Sequence, residues 1–541
     1  MFLNKTNQVL GSFLLSHPKW ADTTKILLTL TISLLFALFL YGVNLKAQWW
    51  IIDDHEIVHF LGSTGKLYPS EIFGKLMNET EIGMYGKFSR FRPAYFFLRL
   101  VECVLWGGRP ALWYGFRIAI FALFVFAFWF ISSKLIGYIF GGLITFHMAT
   151  YSYWPDIIAR LGPSELYAVL GLALFGLGIY DIYRRQKFEI GWLTLCSGYL
   201  ICSGSKENFI LFLLPTLIIF YDLYRKSKLK FVIWLGMTVV LIWTTWIAGA
   251  VLLYQIRNAH DPYYQPTNVA ERSLILINSL KQIQTLILLG SALLFALISF
   301  RASKSNSEIS KLSATMSKGF GGAFILYSSQ IVFYNGIWPN GQRYDFPGLL
   351  IWPVLLVMFA WYFQELIPLV NWPIHRLYTK GLILAVVCAP VFFTFNGVTY
   401  AQTESNKNVA RSSSFSEKIN QIVDIADQNP KDPILIQTDK PDWDYEPVES
   451  YMDFLRYKGI DRPISFVWAG KPPSSYKGSK AIMAKDLMDL SLQGTALRLP
   501  VTSTEFTPLL KIKIRGENCI SIVISGSPKI NCSISIDGSW R

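Results

Sequence analysis

The stretch WWIIDDHEIVHFLG, residues 49–62, sets two adjacent carboxylates, Asp53 and Asp54, directly after the first long apolar run, with His55, Glu56 and His59 close behind. That run, roughly 25–44, is long enough to cross a bilayer as a helix. A dense set of titratable groups where a helix leaves the lipid asks for a purpose, because charge near a membrane is costly and is retained where it works.

Composition agrees with a membrane-embedded chain. Of 541 residues, 52% are hydrophobic and 16% charged, and the mean hydropathy is +0.35. A soluble protein carries nearer about a quarter charged residues. The 39 Phe, 27 Tyr and 18 Trp suit lipid contact and interfacial anchoring. The net charge of +14 does not point to nucleic acid, because Lys and Arg cluster in short loops between apolar runs. Zinc-finger spacing, a P-loop and a dinucleotide fingerprint are absent from the sequence.

Eleven apolar runs read as transmembrane helices: roughly 25–44, 110–133, 135–153, 164–182, 189–204, 207–223, 231–254, 273–299, 320–338, 347–366 and 380–399. AYFFLRLVECVLWGG, 94–108, carries Arg99 and Glu102 and reads as an amphipathic helix lying on the membrane. The basic loops YRRQK, YRKSKLK, RASKSNSEISKLSATMSKG and HRLYTK fall on one side, together with Lys5, Lys19 and Lys25. By the positive-inside rule the N-terminus is cytoplasmic; the style of the chain suggests a bacterial inner (plasma) membrane, with a eukaryotic lumenal enzyme as the alternative. From about 400 the chain turns polar. PILIQT, ISFVW and CISIVISG read as strands, and 447–458 and 481–492 as helices. The expected architecture is an α-helical polytopic membrane domain, 1–400, followed by a periplasmic α/β domain, 401–541.

Four cysteines, Cys103, Cys196, Cys202 and Cys388, sit in or near apolar runs and read as packing residues. Cys519 and Cys532 lie in ENCISIVISGSPKINCSIS. A hairpin turning at SGSPK would let them form a disulfide in an oxidising compartment.

The non-cytoplasmic loops collect the remaining polar groups. Arg90 and Arg92 lie in KFSRFRPAYF, and Asp156, Arg160 and Glu165 between the third and fourth runs. SGSKENF supplies Lys206 and Glu207, NAHDPYYQP supplies His260, Asp261, Tyr263 and Tyr264, and NGQRYDFPG supplies Arg343, Tyr344 and Asp345. Taken singly, each has a structural reading: an interfacial charge, a Lys206–Glu207 turn salt bridge, a snorkelling arginine beside a belt tyrosine. His55 and His59 have the spacing of two metal ligands on a helix but no strong third ligand nearby, which favours a structural role.

As a set, Asp53–Asp54 after the first helix, Arg92–Pro93, Lys206–Glu207 and Arg343–Tyr344 resemble the GT-C glycosyltransferases, over roughly 20–400. Protein O-mannosyltransferases, the lipid A aminoarabinose transferase and tetratricopeptide-containing O-mannosyltransferases share parts of this pattern. The chain departs from the last in lacking a tetratricopeptide array. Its EIVHF echo is also shifted, so no role passes to Glu56 or His59. The resemblance implies a polyprenyl-phosphate-linked sugar as donor, membrane lipid around it, and a glycan, lipid or protein as acceptor, with no nucleic-acid partner. It implies Asp53 as the base, with Asp54 as runner-up. Arg343, Lys206, Arg92 and Arg160 are the candidates for the donor phosphate, and Glu207, His260, Tyr263 and Tyr344 for the sugar or acceptor. The resemblance is mixed on metal and fixes no cofactor; adjacent carboxylates can bind a divalent cation. Two other classes compete: a transporter or flippase for a lipid-linked or anionic substrate, which also needs charge in an outward cavity, and a binding or assembly protein working through its C-terminal part. Against the transporter stand the lack of an inverted repeat and the placement of charge at one membrane face.

Overall fold

A computed structural model describes residues 18–51, 53–227, 229–257, 269–304, 306–334, 336, 338–369, 391–428, 434–438, 445–460, 464–468, 481–483, 493–496, 510–514 and 517–524. Helices dominate. In chain order they are α1 Pro18–Tyr41, α2 Asp54–Leu61, α3 Ile72–Glu79, α4 Pro93–Trp106, α5 Pro110–Ile136, α6 Tyr138–Met148, α7 Trp154–Ile158, α8 Glu165–Tyr183, α9 Phe188–Ser205, α10 Leu213–Lys226, α11 Lys230–Arg257, α12 Val269–Ser279, α13 Ile283–Ala302, α14 Ser307–Phe333, α15 Ile351–Leu366, α16 Val391–Gln428 and α17 Tyr445–Tyr457. The chain divides into two compact units. One comprises residues 1–44, 73–98 and 114–406, the other residues 45–72, 99–113 and 407–541.

Seven helical segments among the described residues are long and apolar enough to cross a membrane: Thr23–Lys46, Pro110–Ile136, Glu165–Tyr183, Glu207–Arg225, Lys230–Tyr254, Ile283–Ala302 and Gly348–Leu369. Three more expected spans are helical without meeting that measure: 135–153 holds only the short α6, 189–204 corresponds to the 18-residue α9, and 320–338 falls largely in the second half of α14. The expected run 273–299 is split between α12 and α13. The span expected at 380–399 lies mostly outside the described residues.

The first expectation overturned concerns a loop. The basic segment 301–319, read as a loop, is mostly the first half of α14. Asn306 caps that helix, its side chain accepting from the backbone N–H of Glu308 and Ile309, so the chain reverses within a few residues. Polar residues then sustain the antiparallel packing on α13. Ser299 and Ser310 exchange hydroxyl-to-carbonyl bonds of 2.9 and 2.8 Å, and Ser317 donates to the carbonyl of Ala292 at 2.9 Å. The serines that looked like loop residues are helix-packing residues.

In the first unit α8 packs closely against α9. Gly171 and Gly178 on α8 face Gly198 and Gly191 on α9. A Cβ at Gly171 would lie 2.7 Å from the Gly198 carbonyl oxygen, and one at Gly178 2.8 Å from that of Gly191. Only glycine lets the two backbones approach this far. The antiparallel pair therefore holds its open end in a fixed register, and that end carries Glu165 and Lys206.

The second unit contains α2, α17 and a six-stranded sheet. Its strands are β1 Ile434–Thr438, β2 Ile464–Trp468, β3 Ala481–Met483, β4 Gln493–Ala496, β5 Leu510–Ile514 and β6 Glu517–Ile524, in the order β3-β2-β1-β6-β5-β4. β1 pairs in parallel with β2 and β6, and β5 and β6 are antiparallel. The segment expected as a helix at 481–492 opens instead with strand β3. Cys519 lies on β6 opposite Ile512 of β5, and β1 occupies the other edge of β6 from Ile520 onward. In the sheet β6 lies between β1 and β5. Cys532 lies outside the described residues.

α4 departs from the surface helix expected at 94–108. Arg99 and Glu102 are buried, at 0% and 2% exposure. Arg99 lies 3.8 Å from Glu56 and over the Trp113 ring. Burying a guanidinium needs such partners, and an amphipathic pattern alone does not reveal them.

Candidate functional site

In the first unit the candidate cations fall into two groups. Lys206 follows α9 with an extended backbone, φ −151° and ψ 127°, and its ammonium bonds to the Glu165 carboxylate at the first turn of α8. The structural reading of Lys206 as a turn salt bridge with Glu207 therefore does not hold, because its partner is Glu165. Glu207 instead accepts the backbone N–H of Phe91 at 3.0 Å and so anchors the RFRP segment. Lys206 Nζ sits 5.2 Å from the centre of the Tyr344 ring and 5.9 Å from that of Tyr334. Burial alone would lower the Lys206 pKa; the Glu165 carboxylate, then Tyr334, outweigh it and hold the ammonium above its ordinary range. Lys206 is therefore charged throughout neutral pH.

Arg343 approaches the same ring. Its guanidinium carbon is 5.2 Å from the Tyr344 ring centre, and its Nη2 donates to the Tyr344 hydroxyl at 3.3 Å. The segment is fixed from both ends. The backbone N–H of Arg343 donates to Asp156 at 3.1 Å, and buried Asp345 accepts the N–H groups of Asn340 and Gly341 at 2.7 Å each. Asp156 also pairs with Arg160 at 2.7 Å. Tyr344, Lys206, Arg343, Glu165, Asp156 and Arg160 thus form one connected cluster of mixed sign.

Arg92 belongs to the second group. Its Nη2 lies 2.6 Å from Glu81, whose other oxygen accepts the Arg92 backbone N–H at 3.0 Å, and the guanidinium covers the Tyr95 ring at 4.8 Å. Its charge is already matched, so Arg92 holds a loop in place. Sequence reasoning missed Glu81 and Tyr334, because neither lies in a recognisable motif. Glu165 was visible as an acid, but its partner was not. His260 and Tyr263 lie outside the described residues.

The second unit holds the acidic stretch. Asp53 precedes α2 with φ 71° and ψ −33°, one of two described non-glycine residues with positive φ. This conformation costs on the order of 1–3 kcal/mol and persists only where surrounding bonds impose it. Those bonds are present. Asp54, buried, accepts the Trp50 backbone N–H at 2.8 Å. Ser450 donates to the Ile51 carbonyl, and His59 Nδ1 lies 3.3 Å from Asp453 on α17. The two carboxylates therefore differ: Asp54 is committed to the backbone, and Asp53 is half-buried at a strained position.

One oxygen of Asp54 is engaged by Trp50, and no group of three His, Cys, Asp or Glu suited to a metal occurs among the described residues.

Burial pushes His55 below its ordinary value of 6.5, against the pull of Asp453, Glu56 and Asp53. A histidine held neutral when folded must charge on unfolding below that value. Stability from this group is therefore complete above about pH 6.5 and falls as pH drops further. Thermal melting between pH 8 and 5 should show that loss, and His55→Gln should flatten it; identical pH profiles would rule His55 out as the cause.

No family model matches the chain, and no curated protein matches it. Among solved structures it is similar to ArnT from Cupriavidus metallidurans bound to undecaprenyl phosphate, at 13% identity over 82% of this chain and 86% of that chain, with a TM-score of 0.41. It is also similar to the Archaeoglobus fulgidus oligosaccharyltransferase in the apo form, at 10% identity over 80% of this chain and 64% of that chain, with a TM-score of 0.40. At these values the likeness assigns no activity and no residue role.

Proposed function

We propose that the chain is an inverting GT-C-type glycosyltransferase. It moves a sugar from a polyprenyl-phosphate donor to an acceptor hydroxyl at the outer face of an inner membrane, with residues 401–541 periplasmic. The observation that carries this reading is the placement of Lys206 and Arg343, from separate segments, each 5.2 Å from the centre of one tyrosine ring. Two fixed cations on an aromatic platform suit an anionic headgroup whose lipid tail remains in the bilayer.

In the proposed reaction the Asp53 carboxylate takes the acceptor hydroxyl proton. The acceptor oxygen bonds to the anomeric carbon as the carbon–oxygen bond to phosphate breaks. The electron pair leaves on the phosphate oxygen, whose growing charge the Arg343 guanidinium and Lys206 ammonium stabilise. One displacement inverts the anomeric centre. No step is routed through a metal.

The test is transfer by the purified full chain in lipid nanodiscs, supplied with a panel of polyprenyl-phosphate sugars. Release of polyprenyl phosphate and an inverted anomer in the product are expected. Transport of an intact lipid-linked sugar without cleavage would replace this reading with the transporter. Arg343→Ala should weaken donor binding about 10- to 100-fold, the worth of charge-assisted phosphate contacts. Arg343→Lys should recover little of it, because an ammonium cannot reproduce the two-pronged geometry. Unchanged donor affinity in Arg343→Ala would move the phosphate away from Tyr344.

A further inference from the structure

The second unit contains a groove of about 590 Å³ to which the proposed chemistry assigns nothing. One wall is α16. Phe415, Ile419, Ile422 and Ala426 form its buried stripe. Beside that stripe Ser413, Ser416, Asn420 and Asp424, spaced three or four residues apart, line the groove. Across from them stand Gln48, Trp49, Tyr457 and Lys458. Trp49 and Tyr457 give that part of the lining its aromatic surface.

The lining selects its ligand. Asn420, Gln48 and the serines both donate and accept, Asp424 and neighbouring Glu417 accept, and Lys458 donates. A phosphate would meet two carboxylates against one ammonium. An acyl chain would meet Pro110, Phe415, Ile419 and Phe454 and make no use of the hydrogen-bonding groups beside them. A chain of neutral hydroxylated rings offers donors and acceptors along its edges and apolar C–H faces to the aromatic wall. The volume lies within the range of small-molecule sites, about 300–1,000 Å³. We infer that this groove binds a neutral saccharide chain, the acceptor class for the transfer proposed above, on which reading the word acceptor rests.

The test is saturation-transfer NMR on the full chain in detergent, with neutral oligosaccharides of three to six hexose or N-acetylhexosamine units as probes. At least one should show transfer to its ring protons at millimolar concentration. Asn420→Ala and Asp424→Ala, at exposed positions that tolerate substitution, should each weaken it about tenfold. Gly108→Ala gives an independent check, because its Cβ would lie 2.1 Å from the Tyr457 hydroxyl and displace that ring's tip into a new position. Asp53→Asn should leave binding intact, so loss of transfer and loss of saccharide binding separate. The inference is overturned if no probe binds, if binding survives both α16 substitutions, or if only peptides or anionic ligands bind.

Discussion

Asp53→Asn lowers the rate of sugar transfer by about 100- to 10,000-fold, the worth of a general base, and leaves the protein folded. Asparagine is the informative replacement. It keeps the volume, and like aspartate it tolerates the positive φ found here. Asp53→Gly extends the test, since glycine adopts this backbone without strain. That variant should melt near wild type and still be inactive. Asp54→Ala should behave oppositely. It removes the acceptor from the half-buried Trp50 N–H, at a cost of about 1 kcal/mol, and lowers the melting temperature before it alters chemistry. Activity of Asp53→Asn within a few-fold of wild type would move the base elsewhere.

Lys206→Ala has the second large effect, on stability and donor binding together. It leaves Glu165, only 3% exposed, without its ammonium partner. Breaking a buried pair from one side costs about 3–5 kcal/mol. A large drop in melting temperature in detergent is expected, with loss of donor binding. The double variant Lys206→Met, Glu165→Leu separates the two effects. Removing both charges restores an apolar fit, so the melting temperature should recover. Donor binding should not, if the ammonium meets phosphate. Recovery of both would make the pair purely structural and leave Arg343 as the cation.

Much of this protein is legible in its sequence because hydropathy is a local property. The spans at 25–44, 110–133 and 347–366 follow from composition alone, and their counterparts are Thr23–Lys46, Pro110–Ile136 and Gly348–Leu369. The strands PILIQT and ISFVW are similarly visible as short runs rich in β-branched and aromatic residues. Their order is not, because β1 lies between β2 and β6, and β6 begins about 80 residues further along the chain.

Pairing of charges is where sequence stops and tertiary structure decides. Lys206 and Glu207 are neighbours, yet the extended backbone at Lys206 and the tight turn after it point the two side chains apart. The partner comes from 41 residues away, because four glycines let α8 and α9 close until Glu165 meets the ammonium. The serines of 301–319 show the same limit. Their polarity suggested a loop, but a neighbouring helix supplies partners for their hydroxyls, and the segment is helical. Sequence fixes which groups must avoid lipid; which group each then bonds to depends on helix packing, a non-local outcome of backbone approach.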